Sequence, residues 1–165
     1  MGMTIRTNGL DELNRILAEL GANANKVAAM SLYEGAAVVA DAFTRGANAI
    51  VTEPFNYVAR PEMTGTMRYP SPAEKAAVVG KSGIAKFKES GSEIDTVVGI
   101  TGNAGYAEVG GERKPVLLIA RSINTGTSFM HKQPVFRKAV TQSKSAARAA
   151  IVAKADEMFN EIIKG

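Results

Sequence analysis

The side chains that could do chemistry in this chain are few and scattered. His131 is the only histidine, so no pair of histidine metal ligands can form, and no Ser–His–Asp relay can be built without it. It stands between Met130 and Lys132 in a predicted turn, where an ordinary surface or packing role is expected. Cysteine is absent, which removes disulfides and thiolate ligands. The sequence therefore predicts no metal site and no cofactor.

Two short patterns resemble nucleotide-binding motifs, and both fail on spacing. The segment Gly80-Lys81-Ser82 is similar to the end of a phosphate-binding loop, but that loop needs a glycine five residues before Gly80, where Lys75 stands. A second group of glycines is spaced by three and does not match the dinucleotide fingerprint: Gly99, Gly102 and Gly105. A turn before a strand and an ordinary loop are the expected structures.

One pair of carboxylates has a spacing that would put both on the same side of a strand. These are Glu93 and Asp95. A general acid and its base need environments that separate their pKa values, and no apolar cluster lies near this pair in the sequence. We expect both to be solvated, and the sequence predicts a protein that is not an enzyme.

The C-terminal third carries an unusual charge distribution. From Arg113 to Ala155 there are nine Lys or Arg residues and no Asp or Glu. On a predicted helix, Arg137, Lys144, Arg148 and the neighbouring Lys138 would form a positive face. Three interpretations stay open: a merely solvated face, a nucleic-acid-binding surface, and a surface for an acidic protein partner.

Composition places the chain among ordinary globular domains. It has 165 residues, 45% of them apolar and 22% charged, with a net charge of +4, so a single domain over 1–165 is expected. The start MGMTIR lacks a signal-peptide pattern, and no apolar run approaches the roughly 20 residues of a membrane span. We therefore expect synthesis in the cytosol and no membrane partner.

The N-terminal part predicts a short strand and two helices. Met3–Thr7 is the strand, and leucines at helical spacing predict a first helix over 10–20 that ends at Gly21. A second helix is predicted over 25–46 and is apolar around much of its girth, which favours burial on two sides. Contact with a second copy of the chain is therefore predicted through Ala36, Val39 and Phe43.

The middle of the chain predicts a loop followed by β-structure. Four prolines make 52–72 a long irregular loop, and a short helical turn is expected over 73–79. Alternating residues predict a hairpin of strands 84–88 and 94–100. A Gly-rich connection over 102–111 and a third strand at 116–123 complete this region.

The last predicted element is a long helix over 134–163. The segment 123–140 contains the turn that precedes this helix and the first residues of the helix. At 1.5 Å per residue this helix measures about 45 Å, longer than a domain of this size readily covers. Pro134 suits a first helical turn. The fold class is therefore α+β, a small antiparallel β-sheet packed against two N-terminal helices and one long C-terminal helix. Part of this last helix is expected to pack on something outside its own domain.

These elements and their order resemble a family of small tailed-bacteriophage virion morphogenesis proteins, the tail-completion, neck or minor tail components. The resemblance is carried by Gly9-Leu10-Asp11-Glu12-Leu13, by the alanine-rich second helix, and by Gly126-Thr127 followed by Pro134-Val135-Phe136-Arg137. The sequence departs from the family where Asn124-Thr125 replaces a Glu and an aromatic residue, and where Val135 separates Pro from Phe. The middle loop, 50–72, is longer than in the family and poorer in its usual Thr-Gly signal, of which Thr64-Gly65 is the candidate remnant.

The resemblance implies a structural protein of the virion that forms a closed ring, a hexamer or dodecamer, at the head–tail junction. Its partners would be copies of itself, the neighbouring head-completion proteins and the tail-terminator or tail-tube proteins, with DNA passing through the lumen. A tail terminator ring is the alternative within this class, and a basic nucleic-acid-binding module is the alternative outside it. The protein would be made in the host bacterial cytoplasm and would act in the virion.

A ring of identical subunits needs two different contact surfaces on each copy. The resemblance assigns one to the alanine-rich helix and the other to the turn and its following helix: Thr125, Gly126, Thr127, Pro134, Phe136, Arg137 and Arg148. The loop over 52–72 is the candidate contact with the next ring in the stack.

Overall fold

The computed structural model describes residues 8–52, 67–90, 93–100 and 104–164, and side chains from residue 18 onward apart from four in the hairpin. The predicted strand Met3–Thr7 and most of the predicted loop, residues 53–66, lie outside these ranges. The described chain combines helices with short antiparallel strand pairs, which confirms the α+β class.

The N-terminal region forms one helix rather than two. Helix α1 runs without interruption over Asn8–Asn48, so the predicted end at Gly21 is wrong. Gly21 lies inside the helix, and a Cβ added there would meet nothing within 4 Å. An isolated glycine costs a helix only about 1 kcal/mol. Its alanine-rich surroundings hold the helix together across that position.

The C-terminal helix agrees with the prediction. Helix α4 covers Val135–Lys164 and packs antiparallel along α1. Two glycines of α1 show the register, since Gly35 lies against Ala147 and Ile151, and Gly46 lies against Val135. This helix pair is the longest contact within the described chain.

Two shorter helices lie between them in sequence. Helix α2, Pro72–Val78, begins at the N-cap Ser71 with a reciprocal capping box to Glu74, so the predicted loop ends at residue 71. Helix α3, Val116–Thr125, occupies the segment predicted as a third strand. That prediction is wrong.

The buried positions of α3 explain the error. Its buried residues follow helical spacing and not alternation: Val116, Ile119, Ala120 and Ile123. Leu117 and Leu118 are instead exposed. A β-rich composition was mistaken for a strand because short apolar runs carry both signals.

The predicted hairpin is present as two consecutive strand pairs. Strands β1, Gly83–Ile84, and β4, Val98–Gly99, pair antiparallel, as do β2, Lys88–Ser90, and β3, Glu93–Asp95. Between the pairs, the Ala85 N–H donates to the carbonyl of Val97 (2.8 Å) and Thr96 Oγ1 donates to the carbonyl of Ala85 (2.7 Å).

A second hairpin replaces part of the predicted Gly-rich connection. Strands β5, Tyr106–Val109, and β6, Glu112–Pro115, pair antiparallel. Gly110 and Gly111 join them with φ of 63° and 78°, the conformation of a two-residue type I′ turn. Adjacent glycines are a hairpin signal that the sequence contained.

The core lies where the end of α1 meets α2, α3 and the start of α4. Val78, Val116, Ile123 and Ile50 are 0 to 2% exposed. Phe43 of α1 stacks on Phe136 of α4, with ring centroids 5.4 Å apart. Together these residues fix the first turns of α4 against the domain.

Candidate assembly surfaces

The turn between α3 and α4 is built as predicted around Gly126. This residue ends α3 with φ of 76°, and its N–H donates to the carbonyl of Ser122 (2.9 Å). A Cβ at this position would lie 3.1 Å from the Lys132 side chain. Both the positive φ and this lack of space favour glycine. Thr125 and Thr127 are exposed beside it.

The rest of the turn returns to the start of α4. Thr127 and Met130 form an isolated antiparallel bridge, and Met130 is buried. The Asn124 Oδ1 then accepts from the backbone N–H of Arg137 in the first turn of α4 (3.2 Å). Pro134 precedes the helix, and its carbonyl accepts from the N–H of Lys138 (2.9 Å). The predicted residues Thr125 to Arg137 therefore form one ordered unit.

This unit also holds both ends of the segment predicted as a long loop. At the leading end, Gln133 Oε1 accepts from the N–H of Val51 and Gln133 Nε2 donates to its carbonyl, both at 2.8 Å. At the trailing end, the Arg68 N–H donates to the carbonyl of Phe129 (2.8 Å), and the His131 N–H donates to the carbonyl of Arg68 (2.9 Å). The loop and the turn, predicted as separate surfaces, are thus joined.

An ion pair fastens the trailing end to α2. Arg68 donates two hydrogen bonds to the Glu74 carboxylate, at 2.7 and 2.8 Å. The Ser71 N–H donates to the same carboxylate (2.7 Å). Burial alone would raise the pKa of Glu74, but these hydrogen bonds and the Arg68 charge hold it below its ordinary value.

His131, the only histidine, packs on Tyr69 with ring centroids 4.6 Å apart. This contact fits the expected packing role. Across the described ranges, no group of three His, Cys, Asp or Glu side chains converges as a metal site. The side chains of Glu93 and Asp95 lie outside what the structure describes.

Four of the predicted contact residues are used inside the chain. Ala36, Phe43 and Phe136 are buried, and Val39 is packed against the core. Phe43 of α1 stacks on Phe136 of α4 in the same chain. Ala36, Phe43 and Phe136 are therefore buried without a second copy, and Val39 is half-buried.

A close approach between α1 and α4 of the same chain occurs at Gly35. A Cβ on Gly35 would overlap Ile151 and would lie 3.0 Å from the carbonyl oxygen of Ala147. Glycine at this position lets the backbones of α1 and α4 come together.

Sequence reasoning missed a set of exposed apolar side chains on the two long helices. On α1, Met30 and Tyr33 are 42% and 52% exposed, and on α4, Val152 and Phe159 are 59% and 39% exposed. Met30 and Tyr33 border a shallow groove of about 210 Å³ that Phe87 and Ala29 complete. The signal was present in the sequence, since apolar residues lie on more than one side of each helix.

The basic run is largely exposed. Among the described residues, ion pairs join Lys114 to Glu112 and Lys154 to Glu157, and Arg113 lies 4.7 Å over the ring of Tyr106. The other six are Arg121, Lys132, Arg137, Lys138, Lys144 and Arg148, all exposed and without an ion pair in the described part of the chain. Four of them lie on α4, as predicted.

Part of α1 is also apolar enough, by length and composition alone, to span a membrane: Ala18–Asn48. This differs from the expectation that no apolar run reaches that length. Core helices pass the same criterion, and Val27, Ala42 and Ala47 of this segment are buried. The absence of a membrane partner stays a prediction.

No protein-family model, no curated protein and no solved structure matches this chain.

Proposed function

We propose that this protein is a structural component of a tailed-phage virion that assembles as a ring at the head–tail junction and joins the filled head to the tail. The proposal rests on the resemblance in the order of sequence motifs and on one structural observation. The α1–α4 pair leaves apolar side chains exposed on both helices, including Tyr33 and Val152. Met30, Tyr33 and Phe87 lie together around one groove, and a contiguous exposed apolar patch is typical of a surface that another chain covers.

A closed ring needs two unlike contact surfaces on each subunit, because head-to-tail contacts pair different patches. The chain offers two long helices with different exposed chemistry, and it offers the turn over 125–137 that holds the ends of segment 53–66. In this proposal the helices contact neighbouring copies. The turn and that segment contact the proteins above or below, which are head-completion and tail-terminator or tail-tube proteins.

The experiment is deletion of the gene in the phage that encodes it. The expected result is filled heads and finished tails that accumulate without joining, seen by negative-stain electron microscopy. Complementation from a plasmid should restore infectious particles. If the deletion gives infectious particles in normal yield, the proposal fails. Tails of abnormal length would instead indicate the tail terminator alternative.

A nucleic-acid-binding role is the second candidate, and it is favoured by the six exposed basic residues that form no ion pair with the described residues. Clustered cations neutralise phosphates and release counterions, which makes binding steeply dependent on salt. A titration of duplex DNA at several salt concentrations tests this role. Tight binding at physiological ionic strength with a steep salt dependence would support it, and its loss in Lys144→Glu with Arg148→Glu would place it on α4.

A further inference from the structure

We infer that the exposed face of α4 in one copy packs against the exposed face of α1 in the next copy, side by side and without a shift along the helices. This inference rests on the proposed self-assembly and specifies its contact. The α4 face is defined by Arg137, Lys144, Arg148, Val152 and Phe159, and the α1 face by Lys26, Met30, Tyr33, Glu34 and Asp41. All ten side chains are exposed.

The first argument is helical spacing. The five residues of the α4 face follow one another at intervals of seven, four, four and seven, which keeps them on a single stripe. The stripe changes character along its length. Its first half, at Arg137 to Arg148, is basic, and its second half, at Val152 and Phe159, is apolar.

The second argument is that the α1 face has the opposite charge at the matching positions. Glu34 and Asp41 are its acidic residues, and Met30 and Tyr33 are its apolar residues. No hydrogen bond or ion pair engages Asp41 in the described chain, while Glu34 lies within electrostatic reach of Lys154. Acidic residues on one helix can therefore meet basic residues of the other, and apolar residues can meet apolar ones.

The third argument is height along the helix pair. Gly35 lies against Ala147 and Ile151, and Gly46 lies against Val135. Interpolation between these contacts puts Asp41 within about one helical turn of the level of Lys144, and a short extension beyond Gly35 puts Tyr33 level with Val152. Glu34 lies within about one helical turn of the level of Arg148. Lys26 lies level with the acidic last turns of α4.

Heights that agree to within about one helical turn have a geometric consequence. When complementary groups lie at the same level, a neighbouring copy is reached by rotation about an axis parallel to the helices, with no translation. Repeated rotation without translation closes a ring, whereas an added translation gives an open filament. The apolar groove of about 210 Å³ between Met30, Tyr33 and Phe87 is then positioned for Val152 of the neighbour.

The test uses two charge-reversed proteins. One carries Glu34→Lys with Asp41→Lys, and the other carries Lys144→Glu with Arg148→Glu. Each places like charges on both of its own faces, so each alone should lose the oligomeric mass at concentrations where the wild type is assembled. Mass photometry and sedimentation velocity measure this, and circular dichroism checks the fold.

Mixing the two proteins in equal amounts gives the decisive measurement. Every face of one variant is then complementary to a face of the other, so the mixture should regain assemblies in which the two variants alternate. A single chain carrying all four substitutions should assemble by itself. Arg121→Glu and Glu108→Lys, exposed charges outside both faces, are matched controls that should assemble like the wild type.

Several results would overturn the inference. These are a monomeric wild type, unchanged assembly in either charge-reversed variant, failure of the mixture to reassemble, or loss of DNA binding as the sole effect of the α4 reversal. The gene deletion tests the proposed function separately. A deletion that blocks head–tail joining, together with assembly that ignores these charges, would leave the function standing and remove only this contact.

Discussion

The Glu74 carboxylate connects three parts of the chain at the scale of single residues. It caps α2 and accepts hydrogen bonds from Arg68, which in turn is bridged to the turn before α4. We expect Glu74→Gln to lower the free energy of unfolding by roughly 1–3 kcal/mol, since a buried charged hydrogen-bond partner is lost. Urea unfolding at pH 7 measures it, and Glu157→Gln, an exposed pair, is the control.

The same residue gives a pH dependence with a definite sign. Its pKa is below 4.5 in the folded chain and at its ordinary value when unfolded. Its contribution is therefore complete above the ordinary pKa and is lost as pH falls through the lower, folded value. The stability difference between wild type and Glu74→Gln should shrink on acidification below about pH 4.5. A difference that grows in acid would contradict this assignment.

Gly35 and Gly21 form a natural comparison within α1. Alanine at Gly35 would overlap Ile151, so we expect Gly35→Ala to destabilise the chain by roughly 1–3 kcal/mol despite the better helix propensity of alanine. Alanine at Gly21 would meet nothing within 4 Å. Gly21→Ala should therefore stabilise the helix by up to about 1 kcal/mol. Thermal unfolding of both variants checks the pair, and effects of equal sign would contradict the close approach of α1 and α4.

At the scale of elements, Gln133 joins the end of α1 to the turn before α4. Its side-chain amide makes both hydrogen bonds to the backbone of Val51. Gln133→Ala should cost about 1–2 kcal/mol and speed amide hydrogen exchange at Val51. Gln142→Ala, on the exposed side of α4, should change neither quantity. Unchanged exchange at Val51 would show that other contacts hold this end of the segment.

The sequence predicts the elements with strong helical periodicity correctly, and it fails where the signals for a helix and a strand overlap. Helix α4 was predicted almost to the residue because its apolar stripe runs for seven turns and Pro134 precedes it. Segment 116–123 was predicted as a strand, since its composition is β-rich and its helical burial depends on contacts with the rest of the domain. The turn at Gly126 was predicted from the glycine itself, and the backbone there has the positive φ that favours glycine.

The candidate surfaces show the same limit. Ala36 and Phe43 were predicted to contact a second copy and are buried within the single chain, because sequence periodicity does not reveal which chain covers a helix. Phe43 stacks on Phe136 of the same molecule. The same internal packing decides which apolar side chains stay exposed, such as Tyr33 and Val152, and the sequence alone does not show it.

At the scale of the whole molecule, the length of α1 sets the overall shape. Its 41 residues span about 62 Å. A compact domain of this chain length has a radius of gyration of only about 15 Å, so α1 is too long to fit within a compact sphere. Small-angle scattering from the monomeric Lys144→Glu, Arg148→Glu protein should therefore give a maximum dimension of at least about 60 Å. A sphere-like profile with a much smaller dimension would contradict a continuous α1.

The anchoring of Val51 and Arg68 on one turn has a practical consequence for protein engineering. Both residues are hydrogen-bonded to residues 129–133. The positions of Val51 and Arg68 are therefore fixed by the rest of the domain and not by the segment 53–66 between them. A foreign peptide or a small fluorescent domain grafted between residues 53 and 66 is expected to leave the framework intact. Such a graft would serve as a visible marker for finding this chain in images of an intact particle.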